Sequence, residues 1–321
     1  MPKQKTRLHP RNKNRERYDL EALVAVKPAL AEFVKPNKHG EDSVVFSNPK
    51  AVKLLNQALL HHYYGVAHWE FPDEYLTPPI PGRADYLHHV ADLLAGSNFG
   101  RIPEGDLITC YDIGVGANCI YPILGVVEYG WNFIGSDINQ ASIDIANKHI
   151  EANEILQGKI ELEFQENSKD AFFGVIARDE IIDISICNPP FHASKADAVA
   201  GTKRKIKNLT GEDNETPIQN FGGVHQELVC LGGELSFITN MIRESARYGG
   251  NCFWFTTLVS KQSNVRAIQK IIKKHEATEL KVIPMGTGNK STRLVAWSFL
   301  TKEEQHEWSA NRWNKKSEAE E

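Results

Sequence analysis

The sequence is poor in the features that mark membrane and secreted proteins. No run of eighteen apolar residues occurs in its 321 residues, which excludes an ordinary transmembrane helix. The N-terminus lacks the apolar core of a signal peptide. The five cysteines form no C-x-x-C pair, which excludes the common zinc and dithiol motifs. We therefore expect a cytoplasmic protein whose cysteines are reduced core residues.

Charge is distributed unevenly along the chain. The net charge of −4 gives no overall argument for nucleic-acid binding, and 41% apolar residues suffice for a substantial core. Residues 1–17, however, contain many cations and one acid, Glu16. We interpret this segment as a basic flexible arm, with a solubilising tail as the alternative. Its cations are Lys3, Lys5, Arg7, Arg11, Lys13, Arg15 and Arg17.

Residues 18–82 are predicted to form a helical extension. The spacing of apolar residues favours one or two short helices over residues 18–34. Asn48 and Pro49 suit the N-cap and the first residue of a longer helix. The clustered prolines of residues 71–82 predict an extended connector that ends at Arg83, where another helix begins.

A doubly wound α/β sheet is predicted from residue 106 onward, because short apolar runs alternate with helical patterns. We expect strands near residues 107–112, 132–136, 160–164, 182–187, 252–258, 278–284 and 293–299. We expect helices near residues 118–128, 139–153, 222–230, 234–247 and 264–274. The last two strands have no helix between them and are predicted to form an antiparallel hairpin at the sheet edge. Residues 304–321 read as a charged C-terminal tail.

Two prolines stop one of these strands abruptly. The strand near residues 182–187 is followed by Asn188, Pro189, Pro190 and Phe191, which places Asn188 where α/β sheets carry their sites. A carboxamide oxygen and the Pro189 carbonyl can accept both hydrogens of a planar amino group while Phe191 stacks on its ring. An ordinary strand ending in a turn is the alternative. The tetrapeptide resembles the [N/D]-P-P-[Y/F/W] motif of S-adenosylmethionine-dependent amino-methyltransferases.

A glycine-rich turn follows the first strand of the sheet. Asp112, Gly114, Gly116 and Asn118 precede a helix, and glycines at this place let a ligand approach the backbone. The match to a dinucleotide-binding fingerprint is poor because Cys119 occupies the third glycine position. The segment instead resembles the D-x-G-x-G motif of methyltransferases.

Residues 79–86, 112–122, 188–192, 220–223 and 254–261 carry a more specific likeness. Together they resemble the bacterial 23S ribosomal RNA adenine-N6-methyltransferase F family, which is related to the eukaryotic small nuclear RNA adenine-N6 methyltransferase. The resemblance implies a class I S-adenosylmethionine-dependent methyltransferase domain over residues 83–303, Rossmann-like with a seven-stranded sheet, preceded by an RNA-binding extension.

The resemblance also implies a reaction and its site. The expected reaction moves a methyl group from S-adenosyl-L-methionine to N6 of one adenine in 23S ribosomal RNA, free or in a large-subunit assembly intermediate, and leaves S-adenosyl-L-homocysteine. Arg83 is expected at the cofactor's carboxylate, Asp137 at its ribose, and Asn188 at both the cofactor and the target amine. Neither a metal nor a membrane is implied. The implied cofactor-binding residues are Arg83, Asp112, Gly114, Gly116, Asn118, Asp137, Ser168 and Asn188.

Residues 192–221 are predicted to form a lid loop over the target base. This segment of about thirty polar residues shows no clear helix or strand pattern. Loops of that length without a function are uncommon. Their cations are expected to grip RNA phosphates together with the basic arm, and a solvated loop is the alternative. These cations are Lys203, Arg204, Lys205 and Lys207.

Three other functions stay open at this point. A protein glutamine N5-methyltransferase would present a carboxamide –NH₂ to the same motif, but such enzymes generally carry Tyr where this chain has Phe191. A DNA adenine-N6 methyltransferase would need a target-recognition domain, for which no segment is left over. An inactive RNA-binding scaffold would not require Asp112, Asp137 and Asn188 together.

Overall fold

The computed structural model describes residues 8–37, 39–191, 194, 229–287 and 290–314. The N-terminal part contains α1 (Leu20–Val26), a 3₁₀ helix (Pro28–Phe33), the hairpin of β1 (Val34–Pro36) and β2 (Asp42–Val44), and α2 (Pro49–Tyr64). The side chain of Asn48 accepts hydrogen bonds from two backbone N–H groups of α2, and Pro49 is its first residue. The predicted helices of the extension are therefore confirmed.

A seven-stranded sheet forms the centre of the fold, as predicted. Its strands are β3 (Thr109–Ile113), β4 (Asn132–Asp137), β5 (Ile160–Phe164), β6 (Ile182–Cys187), β7 (Cys252–Val259), β8 (Glu279–Thr287) and β9 (Lys290–Ser298). They lie in the order β5-β4-β3-β6-β7-β9-β8, and β9 runs antiparallel to both of its neighbours. The predicted edge hairpin is confirmed, although its strands extend further into the expected turn.

Helices cover both faces of the sheet. They are α3 (Ile80–Gly96), α4 (Ile120–Tyr129), α5 (Gln140–Ala152), α6 (Gly233–Ser245), α7 (Gln262–Lys274) and α8 (Lys302–Trp308). Of the helix predicted near residues 222–230, residues 222–228 lie outside the described part of the chain, and Val229 and Cys230 are not helical. None of the helices in the described ranges combines the length and apolar character that crossing a bilayer requires.

The start of α3 corrects one prediction. The helix begins at Ile80, so Pro81 and Arg83 belong to its first turn and not to an extended connector. Proline is favoured at this place because its fixed φ suits a helix and its missing N–H is not needed there. The Ile80 N–H donates instead to the side chain of Asn56 on α2. Arg83 is thus carried by a rigid helix.

Two apolar clusters lie on opposite faces of the sheet. On one face, α2, α3 and α4 pack against strand residues such as Cys110 and Ile184. On the other face, α6 and α7 pack against residues such as Tyr111 and Phe255. The cysteines are free thiols, and the buried ones include Cys110, as expected. The N-terminal extension and α7 therefore flank the sheet from opposite sides.

The described part of the predicted flexible arm is packed against the fold. His9, Asn12 and Asn14 are buried. The His9 backbone N–H and the Asn12 side chain donate to Asp85 on α3, at 2.7 and 2.9 Å. The flexible-arm prediction is therefore wrong for residues 8–17, because polar side chains replace the apolar contacts that sequence patterns detect. Residues 1–7 lie outside the described ranges.

The prediction of a charged C-terminal tail is also wrong for the described residues of that segment. α8 starts with a capping box, and the turn Ser309–Trp313 continues it. The carboxylate of Asp183, which is 0% exposed, accepts the indole N–H groups of Trp308 and Trp313 at 2.8 and 2.7 Å. It also accepts two N–H groups of Arg312, each at 3.0 Å. Residues 302–314 are thus part of the fold.

Candidate functional site

The ends of three neighbouring strands gather most of the predicted site residues. In the register of β3 and β6, Asp112 pairs with Ile186 and Ile113 with Cys187. Asn188 therefore follows β6 beside the glycine turn that follows β3. β4 lies on the other side of β3 and ends at Asp137. Because these strands are parallel, their carboxyl ends meet at one edge of the sheet.

Asn188 is held by the strand end that precedes it. The Cys187 N–H donates to the hydroxyl of Tyr86 on α3, at 3.3 Å. That hydroxyl lies 2.7 Å from Thr256 Oγ1, which itself donates to the Ser185 carbonyl at 2.8 Å. Since the single Thr256 proton is used in that bond, Tyr86 donates to Thr256. A closed set of hydrogen bonds thus fixes the end of β6.

The Asn188 side chain itself is less constrained. Its Oδ1 is buried and has no hydrogen-bond partner within the described residues. Pro189 is buried, and Pro190 and Phe191 are partly exposed. A buried acceptor without a donor costs free energy, so a ligand that brings an N–H group to this atom would be favoured. Asn188 Oδ1 is therefore available to a donor group on a ligand.

Asp112 presents a second acceptor of the same kind. It is 1% exposed, and its Oδ2 has no partner among the residues that the structure describes. Burial, together with the nearby charge of Asp137, raises the pKa of Asp112 to about 8 although Arg83 opposes the change. We refer to Asp112 Oδ2 and Asn188 Oδ1 as the two open acceptors.

Asp137 is partly engaged by the neighbouring backbone. Its Oδ2 accepts the Gly116 N–H and its Oδ1 the Asn139 N–H, both at 2.9 Å. Burial raises the pKa of Asp137, and these N–H groups counteract the rise. Each carboxylate oxygen has a further lone pair, so Asp137 can still accept a hydroxyl. It therefore orders the glycine turn and remains available to a ligand.

The glycine turn leaves room at the strand end. Gly114 and Gly116 have φ of +76° and +66°, a left-handed conformation that suits glycine. A Cβ added to Gly114 would meet no atom within 4 Å. Asn118 has another task, because its Oδ1 accepts the Ile120 N–H at the start of α4 and its carbonyl accepts the Trp69 indole. Open space thus lies beside Gly114.

Arg83 approaches from α3. Its guanidinium lies 5.6 Å from the ring centre of Tyr121, and the Tyr121 ring meets Tyr86 edge-on at 5.4 Å. Arg83 and Tyr86 are three residues apart and therefore share one face of α3. Sequence reasoning found Arg83 through a family resemblance but assigned no role to Tyr86. The sequence did contain a sign of it, because a tyrosine three residues after Arg83 lies on the same face of the predicted helix.

The remaining predicted site residues are more scattered. Ser168 is exposed in the turn after β5, close in sequence to Gln165, whose N–H donates to the Asp137 carbonyl at 2.9 Å. Among the predicted RNA-binding cations, Arg11 pairs with Asp92 at 2.8 Å and Lys13 with Glu128 at 3.0 Å. Arg17 likewise pairs with Glu41 at 2.9 Å. The predicted RNA-binding cations that lie outside the described ranges are Lys3, Lys5, Arg7, Lys203, Arg204, Lys205 and Lys207.

A histidine cluster lies away from this edge. The ligand atoms of His9, His89 and Asp92 lie within 4.8 Å of one another. The arrangement does not suit a cation, because Arg11 already binds Asp92. His9 Nδ1 accepts the Arg11 N–H, so the neutral ring carries its proton on Nε2 and donates it to Asp92 at 2.8 Å. The cluster is an anchor for the N-terminal segment.

Comparison with known proteins places the chain among RNA-modifying enzymes. A family model described as RNA methyltransferase matches residues 2–301. The chain is 50% identical to the ribosomal RNA large subunit methyltransferase F of Cytophaga hutchinsonii, over 97% of each chain. It is also 50% identical to the protein of the same name from Serratia proteamaculans, over 97% of this chain and 93% of that one.

Solved structures agree with the fold. The catalytic domain of hMettl16, in complex with MAT2A 3'UTR hairpin 1, matches with a TM-score of 0.77 and 26% identity, over 92% of this chain and 96% of that chain. The N-terminal domain of human METTL16 in complex with SAH matches with a TM-score of 0.71 and 24% identity, over 92% and 99%. The chain therefore belongs to the RNA methyltransferase family and has the class I S-adenosylmethionine-dependent methyltransferase fold.

Proposed function

We propose that the protein transfers a methyl group from S-adenosyl-L-methionine to N6 of one adenine in 23S ribosomal RNA. The observation that carries the proposal is the buried Oδ1 of Asn188, which lacks a donor in the described chain and precedes the Pro-Pro turn and Phe191. It lies one strand from the second open acceptor, on Asp112. Two such acceptors at one strand edge suit ligands that bring N–H groups.

The residues present fit the cofactor. S-adenosyl-L-methionine carries an ammonium and a sulfonium charge, and the buried carboxylate of Asp112 can accept the ammonium. Arg83 is available for its carboxylate, the space beside Gly114 for its methionine part, and Asp137 for its ribose hydroxyls. When bound, the cofactor supplies a methyl group on a sulfonium, a strong electrophile. We therefore expect no metal requirement.

The protein's part in the reaction is to orient the amine. Asn188 Oδ1 and the Pro189 carbonyl would accept the two N6 hydrogens, which turns the nitrogen lone pair out of conjugation and toward the cofactor site. The second N6 proton can leave after transfer, so no general base is needed. Phe191 would stack on the flipped adenine and recover about 1–3 kcal/mol of the few kcal/mol that flipping costs.

The substrate assignment has separate support. The curated relatives at 50% identity are named for the large-subunit ribosomal RNA, and the matched hMettl16 structure contains an RNA hairpin. We propose 23S ribosomal RNA, free or in an assembly intermediate, as the partner. Residues 1–17, the extension 18–82 and the loop 192–221 are proposed to contact it, with Arg15 and the cations of residues 203–207 as direct contacts.

The test is to incubate the protein with S-adenosyl-L-methionine labelled in its methyl group. Protein-free 23S rRNA, large-subunit particles, adenine-containing DNA and a translation release factor serve as separate substrates. Labelled N6-methyladenosine in digested 23S rRNA is the expected result. Label in the release factor would instead indicate glutamine N5-methylation, and label in DNA alone a DNA methyltransferase. A protein that binds RNA without transferring label would be an inactive scaffold.

A further inference from the structure

We infer that α7 is a second RNA-binding surface, which holds phosphates of the substrate outside the catalytic edge. The inference rests on the proposed function, because it assumes an RNA substrate. The surface consists of Arg266, Lys270, Lys273 and Lys274, and we call it the α7 basic stripe. α7, Gln262–Lys274, contains these cations and no acidic residue, although the whole chain carries a net charge of −4.

The stripe is a single outward face of the helix. Val265, Ile268 and Ile272 are buried against the sheet, whereas all four cations are exposed. At about 100° per residue, the cations fall within an arc of about 100° on the side opposite the buried residues. The stripe therefore points into solvent, with about 12 Å along the helix axis between Arg266 and Lys274.

The protein itself does not compensate this charge. None of the four cations forms an ion pair with another residue in the described ranges, whereas Arg11, Lys13, Arg17 and Lys302 do. Like charges four residues apart, such as those of Arg266 and Lys270, destabilise a helix. Lys273 and Lys274 lie in the last turn, where the helix dipole favours cations, but Arg266 and Lys270 do not. An external anion would compensate the charge of all four cations.

α5 shows that this composition is not required by the fold. It also has 13 residues and packs on the same sheet. Its exposed side carries Asp144 and Glu151 together with Lys148, so opposite charges are mixed along it. α5 thus carries charges of both signs on its exposed side. The unbalanced charge of α7 favours a polyanion as its partner.

The position of α7 connects the stripe to the catalytic edge. The buried carboxylate of Glu234 accepts the backbone N–H of Ser260 at 2.7 Å and that of Lys261 at 3.3 Å, and it also accepts the Asn264 side chain at 2.7 Å. Since Glu234 belongs to α6, these bonds fix the turn from β7 into α7 against α6. β7 neighbours β6, the strand that presents Asn188. RNA with its adenine at Asn188 can therefore continue along α7.

Nucleic-acid phosphates fit this surface better than an acidic protein. Phosphates repeat at short intervals along a strand, so a row of cations about 12 Å long can meet more than one of them, and Arg and Lys are their usual ligands. N-terminal contacts would grip the RNA from one face of the sheet and the α7 basic stripe from the other. The substrate would be held on both sides of the edge where the base enters.

The experiment compares two triple variants in the full-length protein. Arg266→Gln, Lys270→Gln and Lys273→Gln together remove most of the stripe. Arg101→Gln, Lys148→Gln and Arg178→Gln together remove the same charge from exposed residues elsewhere and serve as the control. Binding to protein-free 23S rRNA is measured over a series of salt concentrations, and methylation is measured at saturating RNA.

The stripe variant is expected to bind about tenfold more weakly than wild type at moderate salt, with a salt slope smaller by about 2–3. Its turnover at saturating RNA and its affinity for S-adenosyl-L-homocysteine should stay within about twofold. An unchanged affinity, or an equal loss in the control variant, would overturn the inference. Weakened methylation in particles with unchanged binding to free RNA would assign the stripe to a protein partner, and would overturn it too. If wild-type protein neither binds nor methylates 23S rRNA, the proposed function fails instead.

Discussion

Asp112 and Asp183 are two buried aspartates on neighbouring strands with opposite surroundings. Asp183, near the start of β6, accepts the Thr109 N–H, two indole N–H groups and the guanidinium of Arg312. Asp112, near the end of β3, keeps one oxygen without a donor in the described chain. Residue type and burial are the same in both. We therefore interpret Asp183 as a structural anchor and propose Asp112 as a ligand-binding group.

The largest expected effect is on stability at the anchor. Asp183→Asn replaces the buried carboxylate with an amide whose NH₂ cannot accept the N–H groups that point at it, and each buried donor left without a partner costs about 1–3 kcal/mol. Urea unfolding of the ligand-free protein measures the loss. The matched substitution Asp112→Asn should change the unfolding free energy by less than about 1 kcal/mol or increase it. Equal losses in the two variants would remove the distinction between the two aspartates.

A comparable effect on rate is expected at Asn188. Asn188→Ala removes an acceptor that orients the amine, and losing one such hydrogen bond costs about 10²–10³-fold in turnover. RNA affinity should stay within a few-fold, because the alanine removes no phosphate contact. Single-turnover methylation of 23S rRNA measures the rate, and filter binding measures the RNA affinity separately. A variant that retains wild-type turnover would show that Asn188 does not orient the amine.

A smaller effect is expected on cofactor affinity. Asp112→Asn removes the carboxyl group whose ionised form would accept the cofactor's ammonium, and a hydrogen bond to a charged group is worth about 10–100-fold in affinity. Calorimetric titration with S-adenosyl-L-homocysteine measures it. Asp183→Asn, assayed below its unfolding transition, is the control and should bind normally. An Asp112→Asn variant with wild-type affinity would place the ligand elsewhere.

The smallest effect concerns pH. Burial raises the pKa of Asp112 to about 8 from an ordinary value of 3.8, so between these pH values the folded state binds a proton that the unfolded state has lost. The unfolding free energy of the ligand-free protein should therefore fall as pH rises from about 4 to 8. Asp112→Asn removes the titrating group and should therefore flatten the profile over this pH range. Identical pH profiles would contradict the raised pKa.

The sheet and the glycine turn could be predicted because their signals are local. Apolar runs and turn residues predicted the strands to within a few residues, and Asp112, Gly114 and Asp137 lie at or just after strand ends. Two prolines after Cys187 marked the end of β6 in the same way. These features depend on neighbours in sequence and so are visible without a structure.

The two wrong predictions of unstructured chain ends share one physical cause. The segments 8–17 and 302–314 are polar, and their contacts come from residues far away in sequence. Asp183 meets Trp313 across 130 residues, and Asp85 meets Asn12 across 73. Periodicity cannot detect such pairs. The tryptophans of the C-terminal segment were the available sign of burial, since large aromatic side chains seldom stay exposed.

A crystal structure with S-adenosyl-L-homocysteine tests the central claim most directly. That claim is that the two open acceptors belong to one site. The account predicts the amino group of the ligand within about 3 Å of Asp112 Oδ2, and its sulfur beside Asn188, with Arg83 at its carboxylate. A ligand bound away from the ends of β3 and β6, or an Asn188 side chain directed into the core, would contradict it.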